Sequence, residues 1–113
     1  DIEGFAVFLY FLHDFLGTLR TCNLSLNLGP FDVTLENSSG SYTPFTNVAY
    51  KNVTSYATVY PNWYQIYISR TGSFPGNAIA AASATLEANV SYTLYLFNAP
   101  TATEGLRAMI VSN

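Results

Sequence analysis

Turn signals recur along most of this chain at intervals of about ten residues, and that rhythm constrains the fold more than any other feature. Gly29-Pro30, Asn37-Ser38-Ser39-Gly40, Lys51-Asn52, Pro61-Asn62 and Thr71-Gly72-Ser73-Phe74-Pro75-Gly76 separate short runs rich in β-branched and aromatic residues. The runs are Thr18–Leu26, Phe31–Glu36, Phe45–Tyr50, Thr54–Tyr60, Trp63–Ser69, Ile79–Leu86, Tyr92–Phe97 and Leu106–Val111. Helices need longer uninterrupted periods, so the pattern predicts a mainly β domain: an Ig-like antiparallel sandwich of seven to eight strands over residues 18–113. The Ala-rich stretch from Ala78 to Ala84 would tolerate a helix, but Thr85-Leu86 and its strand neighbours favour a strand.

Residues 1–17 are different. Between Gly4 and Gly17 they are almost continuously apolar, interrupted only by His13-Asp14. As a helix, Phe5, Leu9, Leu12 and Leu16 share a stripe, with Asp1 and Glu3 at the positive end of the macrodipole and Gly17 as a C′ cap. As a strand, Phe5, Val7, Leu9 and Phe11 face one way, and Ala6, Phe8, Tyr10 and Leu12 the other. Both forms are apolar all round and need burial on every side; the cap signals favour the helix without excluding an inserted strand. The run is short for a transmembrane helix, which needs about 20 residues. We therefore expect an assembly segment, with Phe5, Val7, Phe8, Leu9, Phe11, Leu12, Phe15 and Leu16 at the contact. A peripheral membrane anchor is the competing reading. The chain begins at Asp1 rather than Met, so a leader or other upstream segment is expected before it.

Composition sharpens this. Half of the 113 residues are hydrophobic, 16% are aromatic and 10% are charged, whereas soluble domains average about 25% charged. Such a surface calls for cover by neighbouring subunits or glycans. Four scattered Lys and Arg and a net charge of −3 argue against nucleic acid, which needs several cations on one face. Two strands carry aromatics on both faces: Tyr92, Leu94 and Leu96 oppose Thr93, Tyr95 and Phe97, and Trp63 and Tyr67 oppose Tyr64, Ile66 and Ile68. A lone sandwich wets one face of each sheet, so the second rows suggest contact with further copies. Alternatively, Trp63 with Tyr60, Tyr64 and Tyr67 forms a platform for stacking on sugar rings.

Catalytic constellations are hard to assemble. His13, the single histidine, sits in the apolar segment, away from any Ser or Cys nucleophile that needs a base beside it. Asp32 and Glu36 share one face of a strand, as a solvated pair would. One Cys and one His cannot make a zinc site, no Asp-rich calcium loop occurs, and no cofactor is expected. Cys22, the lone cysteine, reads as a buried small apolar side chain. The recurrent motif is the sequon N-x-S/T, at Asn23, Asn37, Asn52 and Asn89. Three of these fall on expected turns, and covalent glycans there would help a weakly charged surface stay in solution.

Four segments carry a family resemblance over residues 19–97. They are Phe31-Asp32-Val33-Thr34-Leu35, Phe45-Thr46-Asn47-Val48-Ala49-Tyr50, the expected hairpin Tyr56-Ala57-Thr58-Val59-Tyr60-Pro61-Asn62-Trp63-Tyr64, and the expected hairpin Thr85-Leu86-Glu87-Ala88-Asn89-Val90-Ser91-Tyr92-Thr93. Together they resemble the extracellular family known as domain of unknown function 4397. The glycine of each hairpin is Asn here, at Asn62 and Asn89, the non-glycine residue most tolerant of positive φ. The resemblance implies a secreted, Ig-like domain of cell surfaces with no family active site to transfer. The function expected is a structural subunit of a pilus-like fibril or surface layer, a homopolymer of copies of itself, with an adhesin or carbohydrate-binding module as the alternative.

Overall fold

The computed structural model describes residues 16–26, 29–73, 77–99 and 105–113. Eight strands follow one another: β1 (Gly17–Leu24), β2 (Phe31–Asn37), β3 (Gly40–Val48), β4 (Ala57–Val59), β5 (Asn62–Arg70), β6 (Ala80–Leu86), β7 (Ser91–Asn98) and β8 (Leu106–Ser112). No α-helix occurs among the described residues. The strands form two four-stranded sheets, sheet A in the order β4-β1-β7-β8 and sheet B in the order β3-β2-β5-β6. The expected β-sandwich is thus present, and Ala80–Leu86 is a strand rather than a helix.

The core lies between the sheets and follows the period-two alternation of each strand. Sheet A supplies Leu19, Tyr92, Leu94 and Leu96; sheet B supplies Phe31, Val33, Leu35, Ile66 and Ile68, all buried. Full burial of each Leu, Ile or Phe is worth about 1.5–3 kcal/mol, so this layer holds the sheets together.

Three details depart from the sequence reading. First, one pair is not antiparallel: β1 runs parallel to β7, with Thr18 opposite Ser91 and Leu24 opposite Phe97. An immunoglobulin constant domain keeps its first two strands in one sheet, whereas here β1 and β2 lie in opposite sheets. Secondly, neither expected hairpin is one. Pro61 separates β4 in sheet A from β5 in sheet B, and Glu87–Val90 separates β6 in sheet B from β7 in sheet A. Both segments cross the sandwich, which delivers Val59 and Leu86 to the core. Each crossover is pinned by a tyrosine at the start of the next strand: the Tyr64 hydroxyl donates to the Tyr60 carbonyl (2.7 Å), and that of Tyr92 accepts from Glu87 N–H (2.9 Å). Thirdly, β3 begins at Gly40, earlier than expected, because a tight turn at Ser38-Ser39 returns the chain directly; the Asn37 side chain accepts from Ser39 N–H (2.9 Å).

Gly17 opens β1, and the expected helix or inserted strand before it lies outside the described residues. A Cβ there would stand 2.6 Å from the Glu87 carbonyl oxygen, so the close approach of β1 to the second crossover requires glycine. Of the two asparagines that replace the family glycines, Asn89 has φ 63°, while Asn62 is not left-handed and accepts instead from Trp63 N–H.

Candidate functional site

The outer faces of the two sheets differ in chemistry. On sheet B the outward side chains include Thr34, Glu36, Gln65, Ser83 and Thr85, with Trp63 and Tyr67 as isolated aromatics. Thr34 and Thr43 share a hydrogen bond (2.9 Å), and Gln65 donates to the Ala82 carbonyl (3.2 Å). This is the polar outer face of an ordinary sandwich.

Sheet A has an apolar outer face instead. Its registers build a row of Val53, Cys22, Tyr95 and Met109, flanked by Leu24 opposite Phe97 and by Thr93 opposite Val111. Val53, Met109, Leu24 and Val111 are 52%, 48%, 46% and 38% exposed. Two cations stand on this face, Arg20 and Arg107. Arg20 is held flat: Nε donates to Thr93 Oγ1 (3.0 Å), and the guanidinium lies 4.8 Å from the Tyr56 ring centre. The Asn113 amide donates to both Tyr56 Oη (2.9 Å) and Thr93 Oγ1 (3.0 Å), fastening that corner. Cys22 is the buried member of the row; burial pushes its thiol up, and Arg20 pulls the other way. It is therefore a packing residue rather than a reactive thiol.

The sequence-proposed sugar platform is divided. Trp63 (48% exposed) and Tyr67 share the outer face of sheet B, and Tyr60 projects from the first crossover at 70% exposed. Tyr64 points inward and is buried. It lines, with Tyr42, Tyr60, Asn37 and Asn62, an open cleft of about 310 Å³ at the end of the sandwich. Desolvation there, reinforced by the Tyr64 and Tyr60 hydroxyls, pushes Tyr42 up to about 12 although 42% of the residue is exposed. Burial pushes the Tyr64 hydroxyl up as well.

The four sequons have unequal surroundings. Asn23 is wholly buried: its amide donates to the Val48 (2.9 Å) and Gly29 (3.3 Å) carbonyls, and its oxygen accepts from Ser25 N–H (2.9 Å) and Oγ (2.6 Å). A folded domain has no room for a glycan there. Asn52 and Asn89 are exposed, and Asn37 is half-buried on the β2–β3 turn. Asp32 and Glu36 share the outer face of β2, but Asp32 is fully engaged: it accepts from Asn47 N–H (2.8 Å), Thr71 Oγ1 (3.0 Å) and Gly72 N–H (3.3 Å). Its carboxylate secures two left-handed residues, Asn47 (φ 56°) and Gly72 (φ 88°).

Of the expected assembly residues, Leu16 is half-buried, and its carbonyl accepts from Asn89 N–H (3.0 Å). Phe5, Val7, Phe8, Leu9, Phe11, Leu12 and Phe15, like His13, lie outside the described residues. Leu24, Val53, Met109 and Val111 were not singled out from sequence, because they come from three separate segments that only the registers bring together.

No curated protein matches the chain. A family model described as "Domain of unknown function (DUF4397)" matches residues 17–113, from the first residue of β1 to the end of the chain. With the match spanning every strand of both sheets, the chain belongs to the DUF4397 family.

Proposed function

We propose that this chain is a structural, non-enzymatic subunit of an extracellular filament or surface layer, in which copies join through residues 1–16 and the apolar outer face of sheet A. The observation that carries this reading is the asymmetry between the sheets. Leu24, Val53, Met109 and Val111 make one outer face apolar, beside a polar outer face on sheet B. Contiguous exposed apolar surface of this kind marks contact sites. The apolar run of residues 5–12 and the 10% charge content point the same way. Glycans at Asn37, Asn52 and Asn89 would keep the other surfaces apart and in solution.

Electron microscopy of native material beside a variant lacking residues 1–16 tests the reading. Ordered fibrils from the full chain and monomers from the shortened one are expected. Monodisperse monomers from both would end it. A second reading, a carbohydrate-binding module, is favoured by the exposure of Trp63 and Tyr60 beside a cleft with amide groups. Retention of the protein on a glycan array, lost in Trp63→Ala, would select that reading.

A further inference from the structure

The four sheet edges are not equally guarded. β4 is three residues long. β3 carries Pro44, two register shifts and the left-handed Asn47. Short length, proline and bulges are the devices that stop an edge from pairing with another chain. β6 and β8 have none of them. Each is seven residues long and pairs in unbroken register with its one neighbour. β6 has no charged residue, and β8 has Arg107 alone. The two strands face each other across the sandwich, so both unguarded edges lie on one flank.

That flank is also lined along its middle mostly by small, partly buried side chains. Ala80, Ala82 and Ala84 on β6 and Ala108 and Ile110 on β8 point inward there and are only partly buried, while Leu86 and Leu106 at the strand ends are buried. The backbone of β8 is ready for another strand. Asn113 N–H donates to the Ser91 carbonyl (2.8 Å) and Ala99 N–H to that of Gly105 (2.9 Å). Antiparallel pairs alternate, so the N–H groups of Leu106, Ala108, Ile110 and Ser112 point away from β7. Among the described residues no strand meets them. A strand added here would send alternate side chains inward, against Ala108, Ile110 and the β6 alanines. The others would point outward and extend the row that ends at Met109. Both sets must therefore be apolar, which is unusual for an edge strand.

Residues 5–12, Phe-Ala-Val-Phe-Leu-Tyr-Phe-Leu, meet that demand on both faces. We propose that residues 5–12 of a second copy add to sheet A along β8, closing the flank between β8 and β6. This rests on the filament reading and names the surface that receives the segment. Two observations favour a second copy over the chain's own segment. The family match begins at Gly17, so the strands of the family domain lie within residues 17–113. The chain also enters β1 at the end of sheet A where β8 finishes. Its own residues 5–12 would thus have to cross the ends of β7 and β8 and run parallel to β8, the weaker pairing. A neighbour's segment is free to pair antiparallel.

The test uses the full chain. Ala108→Pro removes one outward N–H and leaves the bonds to β7, so the fold is retained by near-UV circular dichroism. The critical concentration for fibril formation should rise about tenfold or more. Independently, amide hydrogen exchange of the wild type is compared between fibrils and protein below the critical concentration. Leu106, Ala108, Ile110 and Ser112 should exchange slowly only in fibrils. Assembly of a folded Ala108→Pro variant at the wild-type concentration overturns the proposal and leaves the filament reading standing. So does equal exchange of these amides in both states, and slow exchange already in the monomer assigns the site to the chain's own segment. A wild type that never assembles overturns both. If Ala108→Pro does not fold, the exchange comparison decides alone.

Discussion

Asn23 and Thr21 are neighbours on the inner face of β1, both fully enclosed, and they illustrate opposite uses of a buried polar group. The four hydrogen bonds of Asn23 tie β1 to the Gly29 turn, to the end of β3 and to Ser25. Asn23→Ala strands two carbonyls and an N–H at once and should cost about 2–4 kcal/mol in chemical denaturation. Glycopeptide mapping of folded protein should find Asn23 unmodified, whatever the state of Asn37, Asn52 and Asn89. Thr21 Oγ1, in contrast, is buried with no partner among the described residues. Its backbone N–H is served by Thr54 Oγ1 at 2.9 Å, a bond the side chain does not influence. Thr21→Val keeps the shape and removes the unpaired hydroxyl, so stability should rise by about 1 kcal/mol. A fall in the denaturation midpoint would show that the hydroxyl has a partner after all.

Among the elements, β1 depends most on its surroundings. Its outer edge is met by β4 for three residues and then by residues 51–54, where Lys51 N–H donates to the Asn23 carbonyl (2.8 Å) and Thr54 N–H to that of Thr21 (2.9 Å). At its start Gly17 passes under the second crossover, so Gly17→Ala should destabilise by about 1–3 kcal/mol through overpacking against the Glu87 carbonyl, as read by thermal melting. Which segments are strands was legible in the sequence, because turn residues and alternation are local signals. The division of each strand into two faces was legible too, but not which face is inward where both are apolar: only the structure puts Tyr92, Leu94 and Leu96 inside and Tyr95 and Phe97 outside. Sheet membership was not legible. Period-two patterning specifies a face but not a partner, so the residues around Pro61 read as a hairpin when they are a crossover. Ser41-Tyr42-Thr43-Pro44 was unreadable for another reason: the proline argues against a strand, and a bulged edge accommodates it. The apolar outer face of sheet A was legible only in part, since Tyr95 and Phe97 follow from β7 alone whereas Val53 and Met109 join them through pairings that no single strand encodes.

For the molecule as a whole, alkaline pH acts through Tyr42. Tyr42 is raised to about 12 from an ordinary value of 10. The folded state therefore holds its proton where the unfolded chain releases it, and stability is full below pH 10 and falls as pH rises from 10 toward 12. Alkaline titration should show unfolding and tyrosinate absorbance rising together, and Tyr42→Phe should move the transition to higher pH. The parallel pairing of β1 with β7 has a consequence in time. Thr18 and Ser91 are 73 positions apart, and ribosomes add roughly 5–20 residues each second. β1 thus waits several seconds for its principal partner, with Leu19 and its neighbours open to any other chain nearby. Nascent chains halted before Ser91 should be cut readily by protease within β1, and only synthesis of β7 closes that window.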